Sequence, residues 1–499
     1  MEGGARLAGW GNLPVPGVEI RSERLEGAVR GLPLTRGLGR SYGDASLPPP
    51  DAHAVAGSVL ADRILAFDAE RGVLRAEAGF TLLEMNRILL PRGWFTPVSP
   101  GTKFVTLGGM VAADVHGKNH HVQGTFGAHV RALRLALPSG RVIECSRTRH
   151  PDLFRATIGG MGLTGHILEV EVQLEQVPTP WILMESRRAA SLDDFVRGLD
   201  EAGRTWPFTM GWLDCASRGR AMGRGILMAG RWAERHEAPP GPPPPLSRRI
   251  VPFMLPSRTI NRASVRAFNE LYYRAHPRRT RRRVVHPDRF FYPLDAIHAW
   301  NRVYGRRGFT QYQCVLPFDG SGEAGTPAAL RRVMDTITRS GLASPLCVIK
   351  NCGAEGDGML SFPMPGVSIA VDFPVTPRIQ GLVDELNEVV LAHGGRIYLA
   401  KDAFTRPEHF RAMEGERLTR FQEARRRWDP EHRLRSRLSV RLLGDEAPEP
   451  ASARGRSAQV APGRRTPRPG ARPAPSPTDA AGEGVPTHGG PAGVRAPSP

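Results

Sequence analysis

Apolar residues recur along the first third of the chain with two periods, and the changes between them mark the expected elements. Strict alternation predicts a strand pair at 64–68 and 73–78. It also predicts a hairpin of 131–137 and 141–145 around Pro138-Ser139-Gly140, and a strand at 167–174. Spacing by three and four predicts helices at 22–29, 82–89 and 151–158. The second follows Thr81, which with Glu84 three residues on fits a capping box. Beyond about residue 178 the texture shifts to stretches of amphipathic helix and alternating strand at 191–202, 208–216 and 225–232. Helices are expected at 268–274, 294–304, 327–340 and 379–393, and strands at 309–316, 346–350 and 367–373. That succession predicts an α+β domain on a mostly antiparallel sheet. A strand at 396–402 and a helix at 417–428 complete the ordered chain.

Three glycine-bearing stretches interrupt this pattern. RGLGRSYGD, 36–44, follows a short strand at 32–35, an arrangement that presents backbone N–H groups to phosphate. Residues 98–130 combine glycine, histidine and lysine too irregularly for one helix or strand, and suit the wall for a flat ligand with a charged tail. GMGLTG, 160–165, fits the G-x-G-x-x-G spacing, but a helix precedes it and a strand follows. The dinucleotide fingerprint needs the opposite order, so this segment reads as a tight turn.

Composition narrows the partners. A formal charge of +19, from 68 Lys and Arg against 49 Asp and Glu, points to phosphorylated substrates, nucleic acid or a membrane surface. The basic run RRTRRR, 278–283, reads as a solvated, mobile face and lacks interleaved aromatics, which argues against nucleic acid. Five scattered cysteines suit reduced thiols rather than a disulfide framework. No apolar run approaches a membrane span and no leader pattern opens the chain. The expectation is a cytoplasmic protein, at most peripheral to the inner face of the membrane. Residues 238–249 are proline-rich and predict an extended surface loop. Residues 446–499 hold almost no aliphatics and predict a disordered tail.

RGLGRSYGD, VTLGGMVAADVHGKNHH and GGMGLTG, followed in order by LYYR, FFYPLD, QYQ, SFPMPG, VDFP and YLAKD, resemble the flavin-dependent oxidases of the vanillyl-alcohol oxidase and p-cresol methylhydroxylase superfamily. Within it the likeness is greatest to the decaprenylphosphoryl-ribose 2'-oxidases, with aldonolactone and alditol oxidases as wider kin. The resemblance implies a two-lobed FAD-binding domain of the p-cresol methylhydroxylase type over 1–177 and a substrate-binding cap over 178–395. A segment over 396–445 would complete the active site. It assigns FAD to the protein, with Arg36, Gly37, Leu38, Gly39, Arg40, Ser41, Tyr42, Gly43 and Asp44 around the pyrophosphate. Gly101, Thr106, Leu107, Gly108, Gly109, Ala113, Asp114, Val115, His116, Gly117, Asn119, Ile167 and Tyr398 would line the flavin and its ribityl chain.

The resemblance also places Lys401 at the family's active-site lysine, for electrostatic and proton-handling work. Gln311 and Gln313, two apart on a strand, share a face and could hold sugar hydroxyls. Lys350 and Lys118 suit a phosphate, and Tyr292 would help to close the site. Some relatives bond flavin through a histidine where this chain has Tyr42, so the flavin is expected to be non-covalent. His116, His120, His121 and His129 lack the carboxylates or thiolates of a metal site, so no metal is expected.

The implied reaction is oxidation of a secondary sugar hydroxyl, at C2' of a polyprenyl-phosphoryl pentose, to a ketone by hydride transfer to flavin N5. A partner reductase would complete an epimerisation. An aldonolactone or alditol oxidase using oxygen, and a basic protein that has lost its flavin, are the alternatives. The segment VPFMLP together with the basic run suggests peripheral contact with a membrane. Two departures stand out: Ala370 where that branch carries a cysteine, and Arg437 where an aspartate is expected, which leaves the C-terminal contacts open.

Overall fold

The computed structural model describes residues 5–247, 249–318 and 328–446. A three-stranded, a five-stranded and an eight-stranded sheet organise them, beside three two-stranded pairs. Strands Val18–Arg21 and Thr35–Arg36 run parallel to Ala54–Gly57, which lies between them. The glycine loop 36–44 therefore leaves the end of a short strand held on one side. A five-stranded antiparallel sheet follows, in the order Val142–Ser146, Val130–Ala136, His166–Gln173, Val73–Glu77, Ile64–Asp68. Its inward residues, among them Leu74, Leu133, Val170 and Val172, pack with Phe154, Met110 and Leu82 into one buried cluster.

The large sheet has eight strands, all paired antiparallel. Their order is Arg281–Val285, Ile182–Ala189, Gly225–Trp232, Phe208–Leu213, Cys347–Cys352, Gly366–Pro374, Phe309–Pro317, Arg396–Ile397. Strand alternation divides its faces. Tyr312, Cys314, Cys347, Ile349, Ile369 and Val371 point into a core shared with helices Leu192–Gly203, Ala328–Ser340 and Ile379–Ala392. Gln311, Gln313, Val348, Lys350, Ser368 and Ala370 line a cavity on the other face. All five cysteines are buried and free. Among the described residues no helix is long and apolar enough to cross a membrane.

Several segments depart from the expected pattern. The basic run is partly structural: Arg281–Val285 is the outermost strand of the large sheet, and Arg282 pairs with Glu185 across it. A free edge beside Ile182–Ala189 recruits it. Residues 294–304 are not one helix but two 3-10 turns, Pro293–Ala296 and Trp300–Tyr304, around the two-residue strand Ile297–His298. The left-handed Ala299 (φ 53°) breaks the continuity. In 396–402 only Arg396–Ile397 is strand, after which the chain turns, with the amides of Lys401 and Asp402 donating to the Tyr398 carbonyl. The Thr81 hydroxyl caps its helix by accepting from the Glu84 amide, but the Glu84 carboxylate goes to Arg87 instead of closing the box. The tail expected at 446–499 lies outside the described residues beyond 446.

Candidate active site

The glycine loop, the segment 99–118 and the inner face of the large sheet enclose a cavity of about 560 Å³. The loop fits there because its glycines carry no side chains. A Cβ on Gly43 would stand 1.9 Å from the Asp402 carbonyl oxygen, and one on Gly37 would stand 2.4 Å from Thr106 Oγ1. Gly37, Leu38, Gly39, Arg40, Ser41 and Tyr42 line one end, with Gly101, Thr106, Gly109, Ala113, Val115, His116 and Gly117 alongside. Met161 and Gly162 of the tight turn reach the same wall.

The donor set suits an anionic ligand. Lys118, Lys350 and Lys401 all face the cavity, and among the described residues no carboxylate lies within ion-pair distance of any of them. Arg40 is stacked on Trp10, 4.1 Å from its ring centre, and its Nε is buried without a hydrogen-bond partner. Burial pushes Lys118 down to about 7 and Lys350 to about 8. Glycine-lined backbone, apolar walls and unneutralised cations together fit FAD, whose ring system is flat and whose tail is a diphosphate.

Lys401 is the most tightly framed of these cations. The turn after Arg396–Ile397 sets its Nζ 3.9 Å from the centre of the buried Tyr42 ring. Burial lowers its pKa to about 8, against the opposing pull of Asp372. Asp372 is fully buried in Gly366–Pro374, one strand beyond Phe309–Pro317, and burial raises it to about 7. Its carboxylate accepts from Gln311 Nε2 at 2.6 Å and from the Tyr304 hydroxyl at 3.1 Å. The alternation of VDFP puts Asp372 on the face opposite Val371 and Phe373. Only the pairing register, which sets it across from Gln311, shows its partner. Sequence reasoning passed over it.

The second half of the wall is built on His116. Lys350 donates to His116 Nδ1 and, at 2.8 Å, to the Gly117 carbonyl. Gln313 Nε2 lies 3.3 Å from His116 Nε2 and 3.3 Å from Ser368 Oγ. Burial, and then the charge of Lys350, hold His116 well below its ordinary pKa, so the ring is neutral. Tyr398 lies against it and donates its hydroxyl to the Ala113 carbonyl at 2.9 Å. Ala370, across from Gln313, also lines the cavity.

Other candidates stand behind the wall. Tyr292 is 1% exposed and bonded through its hydroxyl to Ser99 Oγ (2.6 Å) and Asn86 Nδ2 (2.9 Å), so it braces the cavity without lining it. Lys118 lines it but donates to the Phe291 carbonyl at 2.8 Å. Arg36 is held by Ser46 and the Ala8 carbonyl, and Asn119 by the Pro97 carbonyl. Asp114 accepts from the Gly127 amide and from Ser361. Gly43, Leu107, Gly108 and Ile167 are packed beneath the surface. Asp44 is joined with Asp402 to Arg441 at 2.8 and 2.9 Å, which ties the C-terminal helix Arg437–Leu443 to the glycine loop. Arg437 opens that helix, and its backbone amide donates to the Leu47 carbonyl. Among the described residues no group of histidines, cysteines and carboxylates is arranged to hold a metal.

Fold and site thus define an FAD-dependent oxidoreductase acting on CH–OH groups, and residues 29–146 match the FAD binding domain family. The chain is 34% identical over 461 residues to decaprenylphosphoryl-beta-D-ribose oxidase of Mycolicibacterium smegmatis, covering 88% of this chain and 97% of that one. L-gulonolactone oxidase of Scyliorhinus torazame is 33% identical over 113 residues, 22% of this chain and 25% of that one. The mitochondrial cytochrome-type D-lactate dehydrogenase of Arabidopsis thaliana is 33% identical over 147 residues, 28% and 26% respectively. The chain belongs to the family of decaprenylphosphoryl-beta-D-ribose oxidase.

Proposed function

We propose that the protein oxidises the C2' hydroxyl of a polyprenyl-phosphoryl pentose to a ketone, with FAD held non-covalently. The observation that carries this reading is the half-buried Lys401 beside Tyr42, with Asp372, Gln311 and Gln313 on the adjoining sheet face. Bound FAD supplies the hydride acceptor. Neutral Lys401 takes the hydroxyl proton, and the ammonium so formed is countered by Asp372. Gln311 and Gln313 orient the sugar hydroxyls. Lys118 and Lys350, neither within ion-pair distance of a carboxylate among the described residues, receive the phosphate. A ketone at C2' is a product that a partner reductase can return to the opposite configuration. Tyr42 stands where covalent relatives carry a histidine, which supports a dissociable flavin.

The test is anaerobic bleaching of the flavin bands. A polyprenyl-phosphoryl pentose should bleach them, while free pentoses and aldonolactones should not. Bleaching by a free lactone, with stoichiometric peroxide on admitting oxygen, would replace this reading with a lactone oxidase. A purified protein that takes up no FAD would defeat both.

A further inference from the structure

At its open end the cavity is lined by Phe268, Tyr272, Ile297 and His298, and here apolar side chains stand in water. Ile250 is 59% exposed, Phe253 64% and Leu271 72%. Single exposed apolar residues are ordinary, but a contiguous set around one opening marks a contact surface. Two pieces of chain build it. Arg249–Ile250 pairs in parallel with Ile297–His298, and the amides of Val251 and Leu255 donate to the carbonyls of His298 and Arg302. Helix Arg262–Ala275 turns Val265 and Asn269 inward and leaves Phe268 and Leu271 outward, three apart on one face. Phe268 stacks on Tyr272, so the outer rim continues into the cavity wall.

The outward chain of this rim is basic, while Asp295, next to Ala296 and Ile297, is held by Thr102 and the Lys103 amide. From 249 to 269 the chain carries Arg249, Arg258, Arg262 and Arg266, all exposed, and no aspartate or glutamate. The next acid, Glu270, is taken by Arg224 and Arg274.

We infer that this rim, centred on Ile250, Phe253 and Leu271, docks the protein on the surface of an anionic phospholipid membrane with the cavity mouth facing the lipid. Apolar side chains flanked by arginine suit the boundary between acyl chains and anionic headgroups, where each arginine strengthens partitioning about fivefold. The inference rests on the lipid-linked substrate proposed above for its purpose. Its phosphosugar would enter the cavity while the polyprenyl chain stays in the bilayer.

Flotation of the flavin-loaded full chain tests it, using phosphatidylcholine vesicles with and without phosphatidylglycerol. The protein should float with the anionic vesicles at low salt and be released by high salt. Phe253→Glu with Leu271→Glu should weaken partitioning at least about tenfold while leaving the flavin spectrum unchanged, since both side chains lie outside the cavity. Arg258→Ser with Arg266→Ser should weaken it about tenfold or more and flatten its salt dependence. A parent protein that stays with the unbound fraction at low salt would overturn the inference, as would a Phe253/Leu271 variant that floats like the parent. Self-association without vesicles that the same pair abolishes would also overturn it, in favour of a second copy as occupant. Flotation with no flavin bleaching would sink only the substrate reading, and bleaching without flotation only the docking.

Discussion

Replacing Asp372 by Asn removes a charge from behind the cavity wall and keeps the side chain's shape. The Asn oxygen can still accept from Gln311. Tyr304, which also donates to Ser344 Oγ at 2.9 Å, can turn its oxygen toward the new amide. What changes is Lys401. Burial holds it at about 8 and Asp372 pulls upward, so loss of the carboxylate lets the value fall. An opposite charge at close range shifts a pKa by about 1–3 units. The pair is beyond ion-pair distance, so a fall of about one unit is expected.

If neutral Lys401 accepts the hydroxyl proton, the rate of flavin reduction rises with pH along a limb set by that group. In the parent the limb belongs to the pair rather than to either residue, with burial raising the Asp372 carboxyl and lowering the Lys401 ammonium. Asp372→Asn should show a single limb about one unit below that of Lys401. At neutral pH the neutral lysine fraction would rise from about one-tenth to about one-half, and reduction would quicken about fivefold, the two proteins converging in alkali. Anaerobic stopped-flow with the lipid phosphosugar measures this, and Lys401→Arg is the control that should lack the limb. A limb in Asp372→Asn that stays near that of the parent or moves upward would refute the proton-accepting role. So would an unaltered limb in Lys401→Arg.

Lys401→Ala should retain bound FAD by its spectrum yet reduce it about 10²–10⁴ times more slowly; bleaching at the parent rate would remove Lys401 from the chemistry. Acid precipitation should give a colourless pellet and a yellow supernatant, and a pellet that stays yellow would show a covalent flavin. Arg441 serves Asp44, Asp402 and the Thr405 carbonyl at once, so Arg441→Met should cost about 3–5 kcal/mol in urea unfolding by stranding two carboxylates. A loss below about 1 kcal/mol would mean that solvent replaces the pair.

What was legible in the sequence was whatever depends on neighbours close in the chain. Alternation alone placed Gln311 and Gln313 on one face, and a strand before glycines located the loop 36–44, although that strand is Thr35–Arg36 and not 32–35. Asp372 was not legible in the same way, because its meaning comes from register with another strand, as does the place of Arg281–Val285 at a sheet edge. Tyr292 shows the opposite failure. An aromatic hydroxyl within a family motif reads as a site residue, yet its partners Ser99 and Asn86, 193 and 206 positions away, hold it in the supporting layer. The bend at Ala299 depends on a backbone conformation with no glycine or proline at that position to announce it.

The strand Arg396–Ile397 is the last of the eight, and four residues beyond it stands Lys401. The eight-stranded sheet and the lysine beside Tyr42 are thus parts of one continuous piece, although the chain travels through the helix Ile379–Ala392 between them. For protein engineering, residues 178–395 are not a detachable specificity module. A cap transplanted from a relative would bring a sheet edge fitted to its own version of 396–402, and the donor's lysine turn must travel with it. The same coupling constrains divergence, since a change of substrate that reshapes Phe309–Pro317 also shifts the strand from which the lysine turn hangs.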